Sequence, residues 1–262
     1  MNLNLSEKVV IVTGGAKGIG EAIVLQLALE GAFPVIIDRD KAAAEDTFEK
    51  LQAAGGFGMT VDADLATPEG CEKAIAQVMA RFGRIHGLVN NAGHNDGIGL
   101  ENGSYEGFIK SLHSNLIHYY LMAHYALPAL KESKGSIVNI TSKVAETGQG
   151  GTSAYAAANG GRNALTREWA VELLKYGIRV NAVVVAESYT PMYKNWIASL
   201  PDGEAQLEQI KSRIPFENRM TSPEELANMV VFLLSKRSSH TTGQIIHVDG
   251  GYVHLDRALI KS

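Results

Sequence analysis

The stretch VVIVTGGAKGIG, residues 9–20, decides the fold of this chain. Its first four residues are apolar and β-branched, which is typical of a buried strand. Gly14, Gly18 and Gly20 follow, and the amphipathic pattern of residues 21–31 predicts a helix directly after them. Glycines in such a turn let the backbone approach a pyrophosphate, while the helix N-terminus offers N–H groups and the positive end of a dipole. A plain tight turn also uses glycine, so the next strand has to decide between the two readings.

That next predicted strand, FPVIID (33–38), closes on an acidic residue, Asp38. A carboxylate at this point can hold the ribose 2′-hydroxyl of NAD, and it repels the 2′-phosphate of NADP. Arg39 and Lys17 favour the opposite choice, because both could pair with that phosphate. Strand, glycine turn, helix and acidic residue together predict a dinucleotide site that prefers NAD and tolerates NADP.

The rest of the chain repeats this alternation of short apolar strands and longer amphipathic helices. Five more strands are predicted at 56–65, 87–93, 135–142, 178–185 and 243–251. Because the strands are apolar on both faces, the pattern predicts a parallel sheet with helices on each side. Helix boundaries agree: TSPEEL (221–226) offers an N-cap serine followed by proline, and glycines at 31, 83 and 177 predict three helix ends. We expect one α/β domain over residues 1–262, with 186–215 as a segment that covers the substrate.

Composition limits the classes of partner. Of 262 residues, 45% are hydrophobic and 20% are charged, as in an ordinary globular protein. The net charge of −4 disfavours nucleic acid or an anionic membrane as a partner. Cys71 is the single cysteine and cannot form an internal disulfide, which indicates a reducing compartment. There is no signal-peptide pattern and no apolar run of the roughly 20 residues that span a bilayer. We therefore expect a cytoplasmic protein.

Several motifs, taken together, resemble the short-chain dehydrogenase/reductase family along nearly the whole chain. They are TGGAKGIG, NNAG (90–93), Asn115 in HSNL, Ser142, Tyr155, RVNAV (179–183) and VDGG (248–251). The resemblance implies a Rossmann fold with seven parallel strands, a nicotinamide cofactor (NAD or NADP) and a homotetramer. The cofactor-binding residues that it implies are Gly14, Lys17, Gly18, Ile19, Gly20, Asp38, Arg39, Asp64, Leu65, Asn90, Asn91, Ala92, Gly93, Tyr155, Asn159 and Glu187.

The resemblance also implies a reaction, the transfer of a hydride between a carbinol carbon and the nicotinamide. Tyr155 would act as the base in oxidation and as the acid in reduction. Ser142 would hydrogen-bond the substrate oxygen and stabilise its developing charge. Asn115 would help to organise a proton-relay water.

One residue departs from this pattern. Four residues after the tyrosine, relatives carry a lysine that binds the nicotinamide ribose and lowers the pKa of the tyrosine from its ordinary ~10. Here the position is Asn159. Its amide lies one helical turn beyond Tyr155 and could still bond the ribose, but it carries no charge.

Three explanations of Asn159 are open. The protein could be an inactive nucleotide sensor. A second cation could replace the lysine, with Lys143 and Arg162 as candidates, although a surface or subunit-interface position is the more ordinary expectation for both. Alternatively, the substrate hydroxyl could be acidic enough to need less help, as the anomeric hydroxyl of a sugar is.

The residues expected around the substrate are unusually polar. They are His94, Asn95, Asp96, Ser142, Lys143, Glu146, Gln149, Tyr155, Glu187 and Tyr189. Glu187 stands just after a segment where relatives typically have proline and glycine, and a carboxylate there is costly unless it accepts hydrogen bonds. A polyhydroxylated substrate would supply them. The pattern is similar to a branch of the family that oxidises a free aldose, such as L-fucose, at the anomeric carbon to the lactone. A carbonyl reductase of the 3-oxoacyl or quinone type is the alternative, since the fold supports both.

Overall fold

The structure, a computed structural model, describes residues 2–256 of the chain. Seven strands form one parallel sheet in the order β3-β2-β1-β4-β5-β6-β7. They are β1 (Val9–Thr13), β2 (Phe33–Asp38), β3 (Met59–Asp62), β4 (Gly87–Asn90), β5 (Ser136–Ser142), β6 (Arg179–Val185) and β7 (Ile245–Val248). The sheet order reverses direction between β1 and β4, and ligands of open α/β sheets bind in the crevice at such a point.

Helices cover both faces of this sheet. They are α1 (Gly18–Leu29), α2 (Lys41–Ala53), α3 (Pro68–Phe82), α4 (Tyr105–Leu112), α5 (His118–Ser133), α6 (Ser153–Glu172), α7 (Pro191–Ala198), α8 (Gly203–Ser212) and α9 (Pro223–Leu234). No helix within residues 2–256 is long and apolar enough to cross a membrane.

The predicted single-domain Rossmann fold is confirmed, with all seven strands in place. The third strand is shorter than predicted and covers 59–62 instead of 56–65. The capping signal at 221–226 is also confirmed. The hydroxyl of Ser222 accepts the backbone N–H of Glu225, whose carboxylate accepts the N–H of Ser222 in return. Gly83 ends α3 in the left-handed conformation.

Two apolar cores lie on the two faces of the sheet. Alternate residues of β1 divide between them, because successive side chains of a strand point to opposite faces. Val9 and Ile11 join the core beneath α3, α5 and α6, whereas Val10 and Val12 join the core beneath α1, α2 and α9. Both cores hold the carboxyl ends of the central strands rigidly in place, and the candidate site is built there.

Residues 186–215 leave β6 and form α7 and α8. The segment begins against the glycine-rich turn, since a Cβ atom on Gly18 would lie 3.3 Å from the side chain of Thr190. It returns to the body of the protein through Ile214, which is 2% exposed.

Candidate active site

The turn between β1 and α1 is shaped for the close approach of another group. Gly14 and Gly18 adopt the left-handed conformation, with φ of 62° and 59°. A Cβ atom on Gly20 would lie 2.0 Å from the carbonyl oxygen of Gly14, so only glycine fits there. Within the described chain, no side chain caps α1, which leaves the N–H groups of its first turn, that of Ile19 included, without a side-chain partner. These features fit the pyrophosphate of a nicotinamide dinucleotide.

Asp38 is fixed beside this turn. Its carboxylate accepts the backbone N–H of Ala16 at 3.2 Å and that of Asp40 at 3.0 Å. Lone pairs remain for a ribose hydroxyl. Lys17 forms an ion pair with Asp40 at 2.5 Å, and Arg39 lies exposed. Lys17 therefore already has a carboxylate partner within the protein.

The NNAG motif forms the floor of the crevice. The amide of Asn91 donates to the carbonyl oxygens of Thr13 and Gly14 at 2.9 and 3.1 Å, which ties the end of β4 to the glycine turn. The hydroxyl of Thr13 accepts the N–H groups of Asn91 and Ala92. Asn90 is fully buried and bonds within the protein core, so its side chain does not face the crevice.

Three further residues of the predicted cofactor set lie around this floor. Asp64 is exposed after β3, and the adjacent Leu65 is buried. Gly93 has a φ of 151°, and a Cβ atom there would lie 2.7 Å from Nη2 of Arg162 and 2.8 Å from Oδ1 of Asn115. The backbone of the motif therefore runs directly against the side chains described next.

A single π-helical turn, His113–Ile117, sets the position of Asn115 between α4 and α5. Such turns interrupt the regular helix and are frequent at functional sites. Asn115 is fully buried, and its Oδ1 accepts the backbone N–H of His94 at 2.9 Å. Its Nδ2 lies 3.3 Å from the hydroxyl of Ser111, so the amide is held at both ends.

Ser142 and Tyr155 lie on two elements that pack together at the carboxyl edge of the sheet. Ser142 is the last residue of β5 and pairs in register with Val185 of β6. Tyr155 lies half-buried in the first turn of α6, and this helix packs against β5 and the short turn that follows it. The two hydroxyl groups are therefore positioned by a strand end and a helix start, which are rigid elements.

Asn159 is completely buried and engaged within the protein. Its Nδ2 donates to the carbonyl oxygen of Tyr155 at 2.8 Å, and its Oδ1 accepts from Nη1 of Arg162 at 3.1 Å. One amide hydrogen and one oxygen lone pair remain for any further partner.

Arg162 is not the surface or interface residue that the sequence favoured. It is 2% exposed and donates to the carbonyl oxygens of Asn115 at 2.5 Å and of Ile140 at 3.2 Å. Its guanidinium carbon lies 4.2 Å from the centre of the Tyr119 ring and 6.0 Å from that of Tyr155. The i+3 spacing from Asn159 was the available signal, because it places both residues on one face of α6.

Lys143 is also buried instead of lying on the surface. Lys143 and Glu187 form an ion pair in which both side chains are nearly covered. The pair joins the ends of β5 and β6, and the Lys143 ammonium lies 4.2 Å from the centre of the Tyr252 ring. Burial and the neighbouring Glu187 carboxylate raise the pKa of Tyr193 on α7, so its hydroxyl stays protonated beside the pair.

The other residues predicted to line the pocket differ in exposure. Asn95 and Gln149 are exposed, Tyr189 is 43% exposed, and His94 and Asp96 are half-buried. Oδ1 of Asp96 is buried without a hydrogen-bond partner among residues 2–256.

Sequence reasoning missed Tyr193 and two histidines close to Glu146. Oε2 of Glu146 lies 3.2 Å from Nε2 of His247 and 3.9 Å from Nε2 of His254. Only the order β5-β6-β7 brings these residues together, and the sequence does not specify that order.

Comparison with known proteins agrees with this geometry. The family described as "Enoyl-(Acyl carrier protein) reductase" matches residues 14–253. The chain is 34% identical to L-fucose dehydrogenase of Bos taurus, over 96% of this chain and 91% of that protein. It is also 34% identical to a 3-oxoacyl-acyl-carrier-protein reductase of Thermotoga maritima, over 96% and 100%. The crystal structure of Cj0485 dehydrogenase superposes with a TM-score of 0.94 at 46% identity, covering 100% of both chains.

The glycine turn, the crevice at the sheet reversal and these matches lead to one assignment. The chain belongs to the short-chain dehydrogenase/reductase family of nicotinamide-dependent oxidoreductases.

Proposed function

We propose that the protein oxidises a free aldose, such as L-fucose, at the anomeric carbon to the lactone, with NAD as the preferred cofactor. The observation that carries this proposal is the nearly buried Lys143–Glu187 ion pair directly after Ser142. The two charges neutralise each other, but the ammonium hydrogens and carboxylate lone pairs that the ion pair does not use still need hydrogen-bond partners at this depth. A sugar presents several hydroxyl groups that can donate to Glu187 and accept from Lys143. A 3-oxoacyl chain has carbonyl acceptors but no hydroxyl group that could donate to Glu187.

In this proposal, Ser142 and Tyr155 hold the oxygen on C1. The serine hydroxyl donates to that oxygen, and Tyr155 takes its proton as the C–O bond gains double-bond character. The hydrogen on C1 leaves with both bonding electrons, and a nicotinamide held by the glycine turn would supply the acceptor for that hydride. Asn115 fixes the neighbouring NNAG loop through the N–H of His94.

The cofactor would be held by the glycine turn, Asp38 and the NNAG floor. Asp38 favours NAD because a 2′-phosphate would meet its negative charge. Lys17 is paired with Asp40 on the surface, so a 2′-phosphate would have to compete with that carboxylate for it. Glu187 would come near the nicotinamide through its position just past the end of β6.

Residues 186–215 would cover the bound sugar. The hydroxyl of Tyr193 on α7 hydrogen-bonds the Glu187 carboxylate, which also pairs with Lys143. The covering segment is therefore linked to this ion pair. Closure over the sugar would exclude water and strengthen the hydrogen bonds inside.

The test is a comparison of substrates. Initial rates of nicotinamide reduction with a panel of pentoses and hexoses are measured against rates of cofactor oxidation with 3-oxoacyl and quinone substrates. We expect turnover of at least one aldose and slow or absent acyl reduction.

Glu187→Gln should raise the sugar KM about tenfold or more, because it removes one charged hydrogen-bond acceptor. Glu172→Gln is the matched control, since Glu172 is exposed at the end of α6.

Two results would contradict the proposal. Efficient acyl reduction without sugar oxidation would favour the reductase alternative. The chain is as similar to the 3-oxoacyl reductase as to L-fucose dehydrogenase, at 34% identity to each. A folded protein that binds NAD but turns over no substrate would be a nucleotide sensor.

A further inference from the structure

We propose that the Arg162 guanidinium supplies the positive charge that the missing lysine supplies in relatives, and that it does so by stabilising the ionised form of Tyr155 from within the protein. Arg162 is then a positioning residue, because it acts through the tyrosine. The inference deepens the proposed function and rests on Tyr155 as the base.

The first support is the way in which Arg162 is held. Four hydrogen bonds fix its guanidinium: two go to the main-chain carbonyl oxygens of Asn115 and Ile140, and two go to the side-chain oxygens of Asn159 and Asn115. All four acceptors are neutral. A planar guanidinium bonded in this way has little freedom to move, so its charge has a fixed position relative to α6.

The second support is the absence of a counter-charge. Within residues 2–256, no carboxylate forms an ion pair with Arg162, although its side chain is buried. A buried charge without a partner is unfavourable and is normally neutralised. An anion that forms only during turnover, the tyrosinate of Tyr155, would compensate it.

The third support is the identity of the groups that face Arg162. On α5, burial and the guanidinium itself lower the pKa of His118 to about 4, so this histidine is neutral. Burial raises the pKa of Tyr119, whose hydroxyl already donates to the carbonyl oxygen of Ile140. In the pocket, Lys143 and Glu187 neutralise each other. Tyr155 is thus the half-buried acidic group that can respond to the charge.

Asn159 has a defined part in this arrangement. It links the backbone of Tyr155 to Nη1 of Arg162, within one face of α6. A lysine at 159 would bring a second cation against the guanidinium. The asparagine is therefore the residue type that a relocated charge requires.

The size of the effect follows from Coulomb's law. The guanidinium carbon lies 6.0 Å from the centre of the Tyr155 ring, and at an effective dielectric constant of about 20 a unit charge at roughly this range shifts the ionisation of a neighbouring acid by about 1–2 pH units. Removing the charge should therefore move the rising limb of the pH profile of kcat/KM for sugar oxidation upward by about 1–2 pH units.

The test uses three variants. Arg162→Gln removes the charge and keeps hydrogen-bonding capacity, and we expect the upward shift of the rising limb. Arg162→Lys retains the charge and should keep the limb within about half a pH unit of wild type. Asn159→Lys combined with Arg162→Gln returns the lysine to its position in relatives and should restore the limb. A purely structural role would lower the rate in all three variants without moving the limb.

A second readout does not depend on the substrate. The ultraviolet absorbance of tyrosinate is titrated in wild type and in Tyr155→Phe, and the difference gives the ionisation midpoint of Tyr155. We expect this midpoint to rise by about 1–2 pH units in Arg162→Gln, because the guanidinium charge is removed. An unchanged midpoint, or an unshifted rate limb in a folded Arg162→Gln protein, would overturn the inference. If no sugar is turned over but the midpoint rises in Arg162→Gln, the proposed function fails and the role of Arg162 stands.

Discussion

Tyr155 is the side chain on which the proposed reaction depends most directly. Tyr155→Phe removes the proton acceptor and leaves the α6 backbone and the glycine turn unchanged, so kcat should fall by a factor of about 10²–10⁴. The NAD dissociation constant, measured by fluorescence titration, should stay within about twofold of wild type. Turnover above a tenth of the wild-type rate would show that another group takes the proton.

Asp38 determines the predicted choice of cofactor. Replacing it with alanine removes the carboxylate that repels a 2′-phosphate, so the ratio of kcat/KM for NADP to that for NAD should rise at least tenfold. Steady-state rates with both cofactors give this ratio. Asp40→Ala is the informative control, because it frees Lys17 without removing Asp38. An unchanged ratio in Asp38→Ala would mean that this carboxylate does not face the ribose.

At the scale of single residues, the sequence identified the motif positions but not their surroundings. Ser142, Tyr155 and Asn115 could be found because motif spacing is linear. Burial of Lys143 could not be found, and for Arg162 the i+3 spacing from Asn159 indicated only a shared helix face, since burial depends on which strands and helices become neighbours. A charged residue in a polar stretch of sequence is ordinarily expected at the surface. Here tertiary packing buries both residues instead.

Among the structural elements, the turn between β1 and α1 is the one expected to bind the cofactor. Gly20→Ala would place a Cβ atom 2.0 Å from the Gly14 carbonyl oxygen, which is backbone and cannot move aside easily. The turn would have to open, so NAD affinity should fall at least tenfold in calorimetric titration. Gly160→Ala on α6 is the matched control, because a Cβ atom there meets no atom within 4 Å. Equal NAD affinity in Gly20→Ala and wild type would contradict a pyrophosphate at this turn.

Elements with strong local signals were predictable. Both boundaries of α3 follow from Thr67, Pro68 and Gly83, and the start of α9 follows from Ser222 and the proline after it. The π-helical turn at 113–117 has no such signal, because it arises where α4 and α5 pack against the NNAG loop and α6. It positions Asn115, so the least predictable element is part of the candidate site.

For the whole molecule, the order of the strands is what the sequence leaves open. Alternating strands and helices predict a parallel doubly wound sheet, but not which strand ends become neighbours. That order places Lys143 after β5 beside Glu187 after β6, and it also brings His247 of β7 to Glu146. The family resemblance implied seven parallel strands, and the structure shows the order in which they lie.

The stability of the whole fold should depend on pH through His118. Burial, with a contribution from Arg162, lowers its folded-state pKa to about 4, against ~6.5 in an unfolded chain. Between these values the unfolded chain binds more protons, so stability is full above about pH 6.5 and declines as the pH falls towards 4. The part of the loss between pH 7 and pH 5 that is due to His118 should be about 2 kcal/mol, measured by urea unfolding as the difference between wild type and His118→Asn. His86, whose pKa burial also lowers to about 4, adds a loss of its own in both proteins. His118→Asn should reduce this slope, and the control His240→Asn, at an exposed position, should not.

Transfer of an isotope from the sugar to the cofactor identifies the carbon that is oxidised. L-fucose carrying deuterium at C1 is incubated with the protein and NAD, and the products are followed by nuclear magnetic resonance. We predict that the deuterium appears in the reduced nicotinamide and that the sugar becomes an unlabelled lactone. Reduced nicotinamide without deuterium would place the reaction at another carbon. No reduction of the cofactor by this or any other aldose would contradict the assignment altogether.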